Sequence, residues 1–220
     1  MRLLLIDTCG SAGSVALADD GGVIAKETLP GRSASERLIP VLREMLKSAG
    51  WRLGDLMAIV VVHGPGSFTG VRVGVSAAKG LSEAGGVPVI AVSQLALLAA
   101  KAGGVEGRVC AVLDAGRREF YCGMYVGRRC EREALLDREG VVSASAGAAV
   151  VACEVLVAEA LVDMKPHLVP EPDASDALPF AVERVAAGRF DDVSALDANY
   201  LRRTDAEIFA KPKQSVGSAR

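Results

Sequence analysis

The chain has 220 residues, 50% hydrophobic but only 4% aromatic, so one large core or two modest ones must be packed from Val, Leu, Ile and Ala, a composition suited to buried parallel strands covered by helices. A formal net charge of −2 supplies no overall attraction to nucleic acid or to an acidic membrane, so any nucleic-acid role needs a local patch or a basic partner. Five cysteines, Cys9, Cys110, Cys122, Cys130 and Cys153, are odd in number and lack a C-x-x-C pair, which disfavours a disulfide framework and a zinc ribbon and favours reduced thiols.

The opening "RLLLIDT" reads as a strand apolar on both faces, followed by the small-residue turn "GSAGS". Its apolar run is too short for a secretory signal, and no stretch approaches the ~18 apolar residues of a membrane span, so a cytoplasmic protein is expected. "SVALADDGGVIAKETL" gives two further strands around a tight turn at Asp20, Gly21 and Gly22. From Ser33 the period becomes helical: Leu38, Leu42, Met45 and Ala49 share a face, Ser33 and Glu36 fit a capping box, Pro40 bends the helix, and Gly50 stops it. "LMAIVVV" reads as a central strand, the glycine-rich "HGPGSFTGVRVG" follows, and helical character returns from Phe68 to Glu83. "VPVIAVS" and "QLALLAAKAG" complete a β-β-β-α-β-α-β-α half.

"RVCAVLDAGRREFYCGMYVGRR" restarts with a hairpin, and its strand ending in Asp114 echoes the one ending in Asp7. The echo suggests two related lobes, residues 1–104 and 105–220, with the last segment packing back on the first lobe. From Val141 to Asp163 the Ala/Val-rich pattern does not separate strand from helix; "KPHLVPEPDAS" reads as a loop and "SDALPFAVERVAAGRF" as a helix.

The glycine-rich stretch fails two phosphate-loop templates. Gly70 is followed by Val71 and Arg72 rather than by the lysine of a Walker A loop, and Gly64, Gly66 and Gly70 leave one residue too many for a dinucleotide fingerprint. What remains is a turn into a helix N-terminus bearing Ser67 and Thr69, able to hold an anion. A tight βα turn with a capping hydroxyl is the simpler reading. Gly70, Gly74 and Ala78 recur every four residues, with Gly80 beyond, and each glycine costs a helix about 1 kcal/mol against alanine. A bare face of this kind admits a closely packed helix, either of the same lobe or of another subunit.

Asp7 and Asp114 each end a strand before a polar turn, as carboxylates orienting a hydrated magnesium would, but on spacing alone the preferred reading is that they satisfy turn N–H groups. The two histidines, His63 and His167, have no partner at helical spacing, and no G-x-S-x-G elbow exists, which argues against a zinc hydrolase and a serine hydrolase. Arg117, Arg118, Arg128, Arg129 and Arg132, and separately Arg202 and Arg203, form basic runs; Glu119, Glu131 and Glu133 interleave the first, so a solvated surface is preferred.

"GPGSFTGVRVG", set between a buried strand and "AKGL" with "VPVIAVSQLALLA", resembles the signature of the bacterial TsaB (YeaZ) family. "LLLIDTCGSAGSVAL", "SERLIPVL", "LDAGRREFY" and "ANYLRR" resemble its other landmarks in the right order. The resemblance implies an α/β actin-like ATPase (ASKHA, ribonuclease-H-like) fold of two related lobes, with mixed sheets flanked by helices. It further implies a non-catalytic paralogue of TsaD that binds and activates TsaD, docks the small ATPase TsaE, and thereby serves formation of N6-threonylcarbamoyladenosine at position 37 of tRNA. A homodimer of the subunit when alone, and only indirect contact with tRNA, belong to the same expectation. Leu38, Leu42, Phe68, Arg72, Val73, Gly74 and Ala77 fall on the family's dimerisation elements, and Asp7, Thr8 and Asp114 on remnants of phosphate sites.

The chain departs from the family pattern in three places. Ala34 and Ser35 stand where a histidine often precedes "SER", the catalytic relative's paired metal histidines are missing, and "SASAGAAV" is a poor counterpart to an adenosine loop. No tightly bound cofactor is therefore expected, with ATP and magnesium engaged only in the complex. The competing reading is an ATP-binding actin-like phosphotransferase or ATPase using Asp7 and Asp114; a metalloprotease is disfavoured by the two unpaired histidines.

Overall fold

The computed structural model describes residues 1–30, 33–103 and 107–201. Arg202 and Arg203 lie outside the described residues. Its first sheet runs in the order β3-β2-β1-β4-β5: β1 (Leu3–Asp7), β2 (Gly13–Asp19), β3 (Gly22–Leu29), β4 (Ala58–Val62) and β5 (Val89–Val92). The first three strands form an antiparallel meander, whereas β1, β4 and β5 are parallel, with Leu5 opposite Val60 and Val60 opposite Ile90. β1 and β4 are buried at every position, which is why both read as continuous apolar runs without alternation.

Helix α1 (Ala34–Ser48) lays Leu38, Leu42 and Met45 against β2, β3 and the next helix. Each such buried side chain contributes about 1.5–3 kcal/mol relative to an exposed one. The expected capping box does not form: Ser33 Oγ donates to Pro30 O at 2.7 Å, so the hydroxyl is committed to the preceding turn. Ala49 ends the helix and Gly50 follows at φ +67°. Helix α2 (Phe68–Gly85) starts at Ser67, whose hydroxyl accepts from Gly70 N, and stops at left-handed Gly86. Helix α3 (Gln94–Ala100) completes the lobe behind its own serine cap, Ser93.

The second sheet repeats the plan in the order β10-β9-β6-β7-β8: β6 (Arg108–Gly116), β7 (Glu119–Val126), β8 (Arg129–Asp137), β9 (Ala149–Ala152) and β10 (His167–Leu168). β6, β7 and β8 are an antiparallel meander, and β6, β9 and β10 are parallel, so β6 occupies the place of β1. The segment that sequence pattern leaves undivided resolves into α4 (Arg138–Ala144), β9 and α5 (Val155–Ala160). β8 goes unanticipated because its residues are charged and largely exposed, and β10 because it has two residues inside a proline-flanked loop. Helix α6 (Leu178–Ala186) follows a short 3-10 turn at Ala174–Ala177.

One core spans both lobes, and a second cluster, with Val112, Phe120 and Val141, belongs to the second lobe alone. Leu95, Leu97 and Leu98 of α3 are buried with Val109, Ala111, Tyr125 and Val151 of the second sheet. Glu133 of β8 ties the junction: it accepts from Tyr125 OH, from Ser93 Oγ at 2.5 Å and from Asn199 Nδ2 at 2.7 Å. After β10 the chain returns to the first lobe, where Ala174 N donates to Ser14 Oγ, Asp191 N to Val89 O, and Asn199 N to His63 O. No helix among the described residues is long and apolar enough to cross a membrane.

Candidate functional site

The glycine-rich turn and the end of β1 interlock at backbone distance. Thr8 Oγ1 donates to Gly70 O at 2.7 Å, and Ser67 N donates to Cys9 O at 2.8 Å. A Cβ at Gly70 would sit 2.0 Å from Thr8 O, one at Gly74 would sit 2.4 Å from Thr8 Oγ1, and one at Gly66 would sit 2.5 Å from Cys9 O. These three positions are bare so that the lobe's own Thr8–Cys9 turn can enter, not so that a foreign helix can. Gly80 differs: among the described residues a Cβ there meets no heavy atom within 4 Å.

Asp7 lies beneath this turn, 1% exposed, its Oδ1 accepting from Cys9 N at 2.8 Å. Burial pushes its carboxyl from 3.8 up to about 7, with the charges of Glu171 and Asp173 adding and the Cys9 bonds opposing. Thr8 is likewise buried. Asp114, by contrast, stands exposed at the end of β6 and lines the cleft between the lobes. The structure thus separates the three carried-over phosphate-site residues, one at the cleft wall and two enclosed below it.

The expected interface residues also divide. Leu38 and Leu42 are 1% and 2% exposed and face their own lobe's core, as apolar residues at helical spacing do when the sheet beneath is apolar, and Gly74 is buried against Thr8. Phe68 and Arg72 are exposed on the outer side of α2, whereas Val73 and Ala77 are half-buried and packed against the lobe's own core. Phe68 is 61% exposed at the first turn; the Arg72 guanidinium lies 3.4 Å from its ring centroid and 5.4 Å from that of Tyr200. Tyr200 reaches the cluster because residues 194–201 run alongside α2, where Lys79 Nζ donates to Leu196 O at 3.0 Å. Sequence reasoning misses Tyr200, which lies far along the chain; the "ANYLRR" landmark is its only signal. Ile39 of α1 is also exposed.

The cleft encloses about 310 Å³ between the Cys9–Ser11 turn, the Pro65–Ser67 turn, Gln94 and the ends of β6 and β9. Its charged lining is acidic: Asp114, Glu154 and Glu171. Glu171 accepts from Ser11 N at 2.8 Å and Ser11 Oγ at 2.7 Å, and a Cβ at position 10 would crowd the end of the Glu171 side chain, which would have to shift. Glu154 accepts from Asp114 N at 2.7 Å. Burial, followed by the charges of Asp114 and Glu171, raises the Glu154 carboxyl, and burial beside Glu154 and Glu171 pushes the Cys153 thiol up to about 12.

Elsewhere the chemistry is sparse. His63 Nδ1 lies 3.3 Å from Asp197 O, and His167 is exposed in β10. Arg128 pairs with Glu183 and Arg129 with Glu131, while Arg117 and Arg118 hold positive φ in the β6–β7 turn. The cysteines are free thiols, and no group of three or more His, Cys, Asp or Glu among the described residues is placed to hold a metal.

The profile of the TsaD family, tRNA N6-adenosine threonylcarbamoyltransferase, matches residues 13–165. The tRNA threonylcarbamoyladenosine biosynthesis protein TsaB of Escherichia coli is 34% identical over 94% of this chain and 96% of its own length. TsaB of Bacillus subtilis is 38% identical over 57% of this chain and 55% of its own. The crystal structure of YeaZ from Pseudomonas aeruginosa superposes with a TM-score of 0.76 at 32% identity, covering 91% of this chain and 99% of that one. The duplicated sheets flanked by helices are an α/β, actin-like arrangement of two ribonuclease-H-like lobes.

Proposed function

The chain belongs to the TsaB (YeaZ) family, and on that footing we propose that it is the non-catalytic partner subunit of the complex that forms N6-threonylcarbamoyladenosine in tRNA. In this reading it binds and activates a TsaD-like paralogue through the outer face of α2, and the pair docks a TsaE-like ATPase. The chain alone pairs with a second copy through the same face, tRNA is met through the complex, and ATP with magnesium is engaged only there.

The observation that carries the reading is the Phe68–Arg72–Tyr200 cluster. A solitary exposed phenylalanine at a helix start is unfavourable in water, yet here a guanidinium and a second ring hold it in one orientation. Preorganised aromatic and arginine side chains are the residue types that dominate binding energy at protein interfaces. The enclosure of Asp7 and Thr8 also favours a subunit over an ATPase built on Asp7 and Asp114.

The test is association of the full chain with a TsaD-type partner, measured by calorimetry. Arg72→Glu or Phe68→Asp is expected to weaken it by about thirtyfold or more, while both variants keep the parent's melting temperature because the side chains are exposed. Unchanged affinity together with full threonylcarbamoylation of tRNA by the mixture would refute the assignment.

A further inference from the structure

The end of α3, the β7–β8 turn, α6 and the residues just after α6 bound an open groove of about 780 Å³. Its charged lining is Arg128, Arg129, Arg189 and Glu183. Arg128 Nε and Arg189 Nη2 both donate to the Glu183 carboxylate, at 3.2 and 3.1 Å, from elements far apart in sequence. These bonds hold the Glu183 carboxyl below its ordinary range, so the point between the two guanidiniums favours negative charge. Beside them Arg108 and Arg129 share Glu131, Arg129 only at 3.6 Å and with its side chain 74% exposed. Four guanidiniums thus meet two carboxylates, a local positive surplus on a chain whose formal net charge is −2.

The backbone sets these arginines in place. Gly127, at φ +57°, turns β7 into β8 and brings Arg128 and Arg129 to the groove. Gly188, at φ +62°, turns the chain after α6, where Arg189 N donates to Arg184 O at 2.8 Å and Arg189 O accepts from Arg184 Nε at 3.2 Å. The Arg128 guanidinium also lies 5.9 Å from the Phe180 ring centroid.

We propose that this groove is a contact site for the phosphate backbone of RNA, made by the chain itself. It deepens the reading above, from which it takes only the class of RNA, tRNA, and adds a surface through which the subunit touches that RNA directly. A guanidinium presents its donors in a planar fork that matches phosphate oxygens, and Glu183 engages only part of each fork. The remaining lining among the described residues is Ala, Gly and Val, with no ring on which a base could stack and no large side chain to anchor a protein partner. Charge is therefore the source of affinity, and contact of this kind positions an RNA without reading its sequence.

The test titrates the full chain, without any partner, into fluorescently labelled unmodified tRNA, followed by anisotropy across about 50–200 mM potassium chloride. Saturable binding is expected, weakening with salt and displaced equally by tRNAs of unrelated sequence. Arg128→Glu combined with Arg129→Glu should weaken it by about tenfold or more at the lowest salt. Arg189→Gln should make the slope of log affinity against log salt shallower by about 1. Glu183→Gln should tighten binding, because it releases two guanidiniums to the phosphates. Lys47→Glu, a charge reversal on α1, should leave binding as it is. All of these positions are exposed, so the variants should keep the parent's melting temperature.

No saturable binding at the lowest salt, equal losses in Lys47→Glu and the arginine variants, or weaker binding in Glu183→Gln would each overturn the proposal. Displacement of tRNA by poly-glutamate or by inorganic triphosphate at a lower charge concentration than by unlabelled tRNA would also overturn it, in favour of an acidic polypeptide or a free phosphate. Because no TsaD-type partner is present, failure here leaves the subunit reading intact, and failed association with that partner leaves this measurement standing.

Discussion

The two lobes build the same junction in opposite ways. In both, the first strand of the sheet carries an aspartate at or near its end, Asp7 as the last residue of β1 and Asp114 two residues before the end of β6, and the chain entering the crossover helix passes beside it. In the first lobe the contact is backbone to backbone: Gly66, Gly70 and Gly74 let Thr8 and Cys9 press into an 18-residue helix, sealing Asp7 underneath. In the second lobe the crossover helix has 6 residues, and the contact is made by a side chain, Glu154, bonding to Asp114 N. Close glycine packing buries the aspartate, whereas a carboxylate bridge leaves its aspartate at the wall of an open cleft. Repeated topology therefore fixes where an aspartate sits along the chain but not whether it meets solvent.

The largest effect is expected from spoiling the glycine contact. Gly70→Ala places a methyl 2.0 Å from a backbone carbonyl and disturbs the Thr8 Oγ1 bond, so the helix or the turn must move. A loss of about 4 kcal/mol or more in chemical denaturation is expected. Gly74→Ala should cost clearly less, because the atom it meets is the Thr8 hydroxyl, which can rotate away. Equal and small losses for both would mean that the interlock contributes little.

The second test compares the aspartates by pH. Asp7 is raised from 3.8 to about 7 in the fold, so below pH 4 both folded and unfolded chains hold the proton and no difference arises. Between pH 4 and 7 the unfolded chain releases it while the folded chain retains it, and stability falls as pH rises through that window. The full penalty, on the order of 4 kcal/mol, is present above pH 7. Asp7→Asn keeps an acceptor for Cys9 N and removes the titration, so it should stabilise the chain at pH 8 and not at pH 4. Asp114→Asn, at an exposed position, should change stability by no more than about 0.5 kcal/mol at either pH. Matching pH profiles for the two variants would sink the contrast.

Much of the first lobe is legible because its signals are local. Unbroken apolar runs mark β1 and β4, the Asp20–Gly21–Gly22 turn marks a hairpin, and Leu38, Leu42 and Met45 mark the buried side of α1. The second lobe is less so, since β8 carries exposed charge and β10 is two residues long, and neither shows a period. The candidate site is legible only in part. The four-residue recurrence of small residues is plain in sequence, but their true neighbour, Thr8, is 62 positions from Gly70, and nothing local names it. The cleft is harder still: Gln94, Glu154 and Glu171 come from three separate elements, and each alone looks like a cap or a surface charge.

Gly80 shares α2 with the packed glycines but lacks their close neighbours among the described residues. Among the described residues nothing occupies the space a Cβ would take there, so Gly80→Ala should stabilise the free protein by about 0.5–1 kcal/mol through reduced backbone entropy of the unfolded chain. Scanning calorimetry would register this as a rise of about 1–4 °C. If the bare position instead serves an approaching helix of another subunit, the same substitution will stabilise the isolated chain yet weaken its association with a TsaD-type partner. Measuring both quantities on one variant separates a glycine that is merely tolerated from one kept for a contact that only the assembled complex makes.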